Sequence, residues 1–412
     1  MKSRNPAALG GAALALALFA GPASAGDNYV ATFTDFTQSQ AREGYATLDK
    51  LLAGLAFNLG NRASTYNLSL RGVAATLVDS DGPCCVSVDI PALGITNQPL
   101  PGQTYEENMH QLRKLLTQGD VSRRLSLESA RSSPTDPVAG NPASQMARMV
   151  AFDFAAAFFP FASNLADGEE KVAQAGGLPA GAVRGPMRNL PGVGMQLGLL
   201  KDGDQSVKVL TLPFSYSVRS DLDPRRQFNV YLPLTVADID GARVQQGTLG
   251  GSVRLPLATN WALTTAMNYS ILDAKDLGTA GKIGSLSITS SYVIRGDSGS
   301  LGIGNMVGHY RALSGTVGGI DTGTGISNTV FRNGLLWSMP ASFLGFGNSI
   351  EYTLINTHYT GTELYLKNYS EIGISAGTNR RADSNRSYMQ GGLSYLFSSK
   401  TKGVLASFGY WF

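Results

Sequence analysis

The last ten residues, Gly403-Val404-Leu405-Ala406-Ser407-Phe408-Gly409-Tyr410-Trp411-Phe412, constrain the fold most. They alternate, and they finish on an aromatic side chain. In a strand, successive side chains point to opposite faces, so Val404, Ala406, Phe408, Tyr410 and Phe412 share one face. The same two-residue period recurs upstream. Trp261, Leu263, Thr265, Met267, Tyr269 and Ile271 alternate with Ala262, Thr264, Ala266, Asn268 and Ser270. Phe228, Val230, Leu232, Leu234 and Val236 alternate with Gln227, Asn229, Tyr231, Pro233 and Thr235, and residues 210–218 repeat the arrangement. An apolar face backed by a small or polar face suits a wall between lipid and a wet or filled interior.

About twelve such stretches fill residues 191–412, with cores near 193–200, 206–219, 227–237, 247–258, 261–272, 283–295, 299–310, 327–338, 347–359, 366–377, 387–397 and 403–412. Most reach the 9–11 residues of a tilted membrane strand. An even number returns both ends of a barrel to one side. Trp261, Tyr292, Trp337, Tyr352, Tyr395 and Tyr410 sit near strand ends, as interfacial aromatic girdles do. The fold class predicted is an all-β transmembrane antiparallel barrel of about twelve strands, preceded by a small α+β soluble domain.

Helical membrane spans are not expected. Mean hydropathy is −0.02, and the one long apolar run is N-terminal. Lys2 and Arg4, the run Ala12–Ala20 and the A-x-A site Ala23-Ser24-Ala25 form a secretory signal peptide over residues 1–25. The formal charge of +3 falls to +1 without Lys2 and Arg4, which gives no reason to expect nucleic acid. Charged residues make up only 15% and glycine is abundant at 49, both in keeping with small, uncharged strand faces.

Residues 26–140 read as the α+β domain. A helix is predicted over 37–59, its stripe made by Leu48, Leu51, Leu52 and Leu55. Strands follow at Tyr66–Leu70, Val73–Val78 and Cys85–Ile90, with a turn at Asp79-Ser80-Asp81-Gly82-Pro83. Thr104 and Glu107 form a capping box that opens a second helix carrying Met109, Leu112, Leu115 and Leu116. Residues 132–141 are polar and proline-rich, a loop. Residues 141–190 hold an apolar helix over 146–159, expected to end before Pro160, and then a Gly/Pro/Ala-rich linker. Two readings of the helix stay open: core of the N-terminal domain, or a plug threaded through the barrel. Gly194, Gly198, Gly250, Ser252, Ala262, Ala266, Gly302, Gly304 and Gly308 would leave room for a plug.

The closing Phe408, Tyr410 and Phe412 resemble the C-terminal signal of bacterial outer-membrane β-barrels. That resemblance implies recognition by the barrel-assembly machinery and a setting of outer-membrane lipid and lipopolysaccharide. The order of N-terminal domain, helix and C-terminal barrel resembles the autotransporter plan, in which the barrel carries an N-terminal passenger through its own pore. This passenger is small, lacks long stalk repeats, and shows no protease or esterase motif. The expected function is a translocation or diffusion pore with a periplasmic or plug domain. The alternatives are a barrel displaying the N-terminal domain as an adhesin or binding module, and a lipid-modifying enzyme. The transported or displayed ligand is not identified.

Candidate chemistry is sparse, and no catalytic, cofactor or metal residue is expected. Arg254, Asn268, Asn333, Glu351, Glu371 and Gln390 are assigned to the lumen, lining a narrow pore or neutralising one another. Cys84 and Cys85 are adjacent, and a strained disulfide or a thiol pair are both open. His110 reads as a surface residue. His309 and His358 fall toward outer strand ends, where a lipid hydrolase would need a serine or threonine within reach, with Ser314 and Thr360 considered. Asp79-Ser80-Asp81-Gly82 starts like a calcium loop, but Pro83 and Ile90 stand where ligands are needed. Arg295-Gly296-Asp297 reads as a tight turn, and Gly302-x-Gly304 lies in a strand rather than a phosphate cradle.

Overall fold

The computed structural model describes residues 28–34, 40–59, 65–80, 82–164, 190–219, 226–341, 348–378 and 388–411. The signal peptide, the linker 165–189 and Phe412 lie outside these residues.

The N-terminal sheet has six antiparallel strands: β1 (Tyr29–Thr34), β2 (Gln40–Tyr45), β3 (Thr65–Leu70), β4 (Val73–Asp79), β5 (Val86–Ile90) and β6 (Ile95–Leu100), in the order β2-β1-β3-β4-β5-β6. One face carries Phe33, Tyr66, Leu68, Leu77, Val88 and Ile90 into the core. Three helices belong to this domain: α1 (Leu48–Asn58), α2 (Tyr105–Thr117) and α3 (Gly119–Ser132). The sequence missed β1, β6 and α3. It also extended α1 over residues that form β2. There Ala41, Glu43 and Tyr45 alternate and pair with β1, and Thr47 caps a helix that starts only at Leu48. A two-residue period won over a helical one because a neighbouring edge was available. The second capping box forms, with Thr104 accepting from the Glu107 amide at 3.1 Å. Glu107 reaches back to the Gln103 amide, one residue before the cap.

Twelve strands then close a barrel: β7 (Leu190–Asp202), β8 (Gln205–Arg219), β9 (Gln227–Ile239), β10 (Ala242–Ala258), β11 (Trp261–Ala274), β12 (Thr279–Gly296), β13 (Gly299–Ala312), β16 (Ser327–Pro340), β17 (Ser349–Gly361), β18 (Asn368–Gly377), β19 (Tyr388–Phe397) and β20 (Lys402–Trp411). A small hairpin, β14 (Thr316–Val317) with β15 (Ile320–Asp321), decorates one connection. Each neighbour pair is antiparallel, and β20 pairs with β7 from Lys402↔Lys201 to Trp411↔Gly192 to close the ring. Closure removes every free edge, which hydrocarbon does not tolerate. The apolar set predicted from alternation points outward: Phe228, Leu232, Leu255, Met267, Ile288, Leu354, Phe408 and Tyr410 are all exposed. Among the described residues no helix is long and apolar enough to cross a membrane.

Even parity gives the barrel two distinct ends. Leu190 and Trp411, its first and last described strand residues, lie at the near end with the turns 259–260 and 297–298. The turns 203–204, 240–241 and 275–278 and the connection 313–326 lie at the far end. The N-terminal domain sits on the far end. Asn28 donates to the Ile239 carbonyl (2.8 Å), Tyr29 to the Leu277 carbonyl (2.8 Å), and the Gly119 amide to Asp321 (2.7 Å). The Tyr365 amide donates to the Ala130 carbonyl (2.9 Å). Burial pushes the Tyr29 phenol up to about 12, with the Arg71 charge opposing part of that shift. Asp136, buried beside Arg71 at 3.2 Å, is raised by burial, while Arg71 and the Ala139 and Val138 amides pull it down.

Candidate functional site: the occupied lumen

Helix α4 (Gln145–Asn164) lies inside the barrel. Gln145, at its start, bonds Ser270 (3.1 Å) near the far end of β11. Ala162 and Phe158, toward its end, pack on Gly302 near the start of β13. The helix therefore runs from the N-terminal domain down to the end where β7 begins. This is the threaded arrangement, not the soluble-core one.

The helix also runs through Pro160, where the sequence predicted a stop. Proline cannot donate to the Ala156 carbonyl. The turn survives because Phe158, Phe161 and Ala162 are buried and Arg254 donates to the Ala157 carbonyl at 3.2 Å. Burial of this turn against the barrel wall, with Arg254 on the adjacent carbonyl, holds it helical.

Two features seat the helix. The first is steric. A Cβ on Gly304 would stand 2.7 Å from Phe158 and 2.9 Å from Phe154, and one on Gly334 would stand 2.7 Å from Phe154. These bare patches of wall, on β13 and β16, accept the two phenyl rings. The second is polar. Asp153, buried at mid-helix, is approached by Asn268 Nδ2 at 2.5 Å, Tyr310 Oη at 2.7 Å, Tyr231 Oη at 3.3 Å and Ser287 Oγ at 3.5 Å. Four strands, β9, β11, β12 and β13, so converge on one carboxyl. Sequence reasoning recorded Asp153 only as an interruption of an apolar run. The signal was present, because an acid in an otherwise apolar helix needs partners.

Of the residues assigned to the lumen, Arg254, Asn268, Glu351 and Glu371 are buried on the inner face. Gln390 also faces in and donates to Glu351 at 2.6 Å. Asn333 does not. It is exposed between Phe331 and Leu335 on the outer wall, and its inward neighbour is Arg332. The error is one residue of register, which moves a side chain to the opposite face. Arg332 meets Glu371 at 2.8 Å and lies over the Phe154 ring. Glu351 also accepts from Ser338 (3.2 Å) and Ser375 (3.3 Å). The helix leans toward β10–β13 and β16, and a cavity of about 400 Å³ remains against β7–β9 and β17–β20.

Outside the lumen, Cys84 and Cys85 are exposed on a short 3₁₀ turn with Sγ atoms 2.6 Å apart. Phe408 and Tyr410 face outward. His110 is exposed on α2. His309 faces outward near the far rim, with Nε2 3.2 Å from Ser327 Oγ and Nδ1 3.3 Å from Thr329 Oγ1. Its neighbours are therefore Ser327 and Thr329, not Ser314. His358 contacts Asn368. No carboxylate orients either ring in these contacts. Among the described residues no cluster of three or more metal-ligating side chains occurs.

No protein-family model and no curated protein matches the chain. Solved structures do. The translocator domain of the autotransporter NalP from Neisseria meningitidis is 13% identical at a TM-score of 0.41, over 59% of this chain and 95% of that one. The β domain of the Bordetella autotransporter BrkA is 14% identical at 0.41, over 54% and 98%. An outer membrane channel from Pseudomonas putida F1 is 12% identical at 0.40, over 57% and 98%. The chain's own geometry stands beside these likenesses: a closed twelve-strand barrel with an apolar outer wall, a polar inner one and a small α+β domain in front. That is the architecture of a transmembrane β-barrel.

Proposed function

We propose that this protein is a self-occluded outer-membrane barrel that holds its N-terminal domain on the outer surface of the cell, as a binding module. One observation carries the reading. Helix α4 traverses the lumen, so the N-terminal domain and the barrel's own termini lie at opposite ends. In single-chain bacterial barrels of even strand number the termini face the periplasm. The opposite end, with the domain on it, then faces out. A periplasmic location would require the barrel to be inverted.

Protease shaving of intact cells tests this. The N-terminal domain is expected to be removed while residues 191–412 stay protected. Protection of the domain in intact cells, lost only once the outer membrane is permeabilised, would overturn the proposal.

A second reading has support from the 400 Å³ cavity beside α4. On that view the barrel is a diffusion pathway gated by its helix. Planar-bilayer conductance separates the two. The display reading expects a closed full-length protein and a conducting variant that begins near Gly192. Steady conductance by the full-length protein favours the pore.

A further inference from the structure

We propose that the lumen beside α4 is a binding site for a small organic anion, a carboxylate joined to an apolar body, anchored by Arg148. The proposal depends on the cavity and not on which side of the membrane the N-terminal domain occupies.

Arg148 lines the cavity one turn into α4. Its Nε donates to Gln246 Oε1 at 2.6 Å and its Nη1 to the Ala143 carbonyl. Its Nη2 is buried with no partner. Among the described residues no ion pair reaches it. The acids nearby are engaged elsewhere: Asp153 by two tyrosines, Asn268 and Ser287, and Glu371 by Arg332. Glu351 takes Ser338, Ser375 and Gln390. A guanidinium removed from water without a counter-charge is costly. The unpartnered Nη2 can give one charge-assisted hydrogen bond to an oxygen of a carboxylate or of a phosphate.

The remaining wall selects between those two. Facing Arg148 across the cavity and along α4 are Phe152, Phe159, Leu200, Val209 and Leu405. Thr211, Asn229, Gln390 and Ser407 line the same cavity, so an apolar strip lies among fixed polar groups, as in many small-molecule sites. That strip suits the body of an aryl or alkyl acid, which a free phosphate lacks. At the far end, Val207, Ile239 and Val244 are buried in one continuous core with the N-terminal domain.

Isothermal titration on the full-length protein in an uncharged detergent tests the site, with 2-naphthoate and 2-naphthamide as probes. Naphthoate is expected to bind at least tenfold more tightly than the amide, the worth of one charge-assisted hydrogen bond. Arg148→Gln is expected to erase that difference. Leu405→Trp leaves Arg148 intact, fills the cavity from the opposite wall, and is expected to abolish binding of both probes. The proposal fails if the wild-type protein binds neither probe or both equally. It fails equally if Arg148→Gln keeps the preference, or if Leu405→Trp binds naphthoate as the parent does.

Discussion

Replacing Asp153 by alanine removes the acceptor on which four barrel side chains converge. Asn268 at 2.5 Å and Tyr310 at 2.7 Å make the strong contacts, and Tyr231 at 3.3 Å and Ser287 at 3.5 Å make weak ones. Each strongly bound donor left buried and unpaired costs about 1–3 kcal/mol, and the two long contacts add a smaller amount. Tyr231 borders the cavity, so water can enter and re-pair part of the set. The net loss is then about 2–4 kcal/mol, drawn from the seating of α4 and not from the barrel ladder. At about 1.4 kcal/mol per factor of ten, the ratio of seated to unseated helix falls by roughly 30- to 700-fold. Hydrogen exchange of residues 145–164 reads this directly, and single-channel recording reads it as more frequent openings. Asp153→Asn keeps one acceptor and is expected to fall between alanine and the parent. Unchanged exchange and unchanged conductance in the alanine variant would refute the view that this carboxyl latches the helix.

Three further outcomes are expected. Gly304→Leu places a side chain where Phe154 and Phe158 now lie, 2.7–2.9 Å from a new Cβ; overpacking of about 1–3 kcal/mol should loosen α4 and leave heat-stable barrel mobility on gels unchanged. The Tyr29 phenol is raised in the folded state to about 12, so its contribution is fully present below pH 10 and is lost as pH rises through 12. Alkaline release of the N-terminal domain, followed by protease sensitivity, should therefore lose part of its steepness in Tyr29→Phe. Last, a His309→Ala, His358→Ala double variant should match the parent in phospholipid hydrolysis, because no carboxylate orients either ring in the contacts described; a drop in fatty-acid release on mass spectrometry would revive the enzymatic reading.

Alternation by itself determined the barrel. A period of two is local: each residue's face follows from its neighbours' positions, so twelve strands, their outward aromatics and the even parity were legible along the chain. The same locality explains the failures. Asn333 sits in Phe331-Arg332-Asn333-Gly334-Leu335, where three polar or bare residues in a row blur the phase, and only pairing with β13 and β17 fixes which one faces in. Gln40–Tyr45 became a strand because β1 offered an edge. Pro160 stayed helical where Phe158, Phe161 and Ala162 are buried in the lumen and Arg254, 94 positions later in the chain, reaches the Ala157 carbonyl. The sequence offered helix α4 two homes and leaned to the core of the N-terminal domain, since an apolar face says that it must be buried and not where. Tertiary structure decided that question, through glycines on β13 and β16 that receive its phenyl rings and four strands that converge on Asp153. Burial in the lumen, and with it the opposite placement of the N-terminal domain and the barrel's ends, is a long-range property that no window of sequence contains.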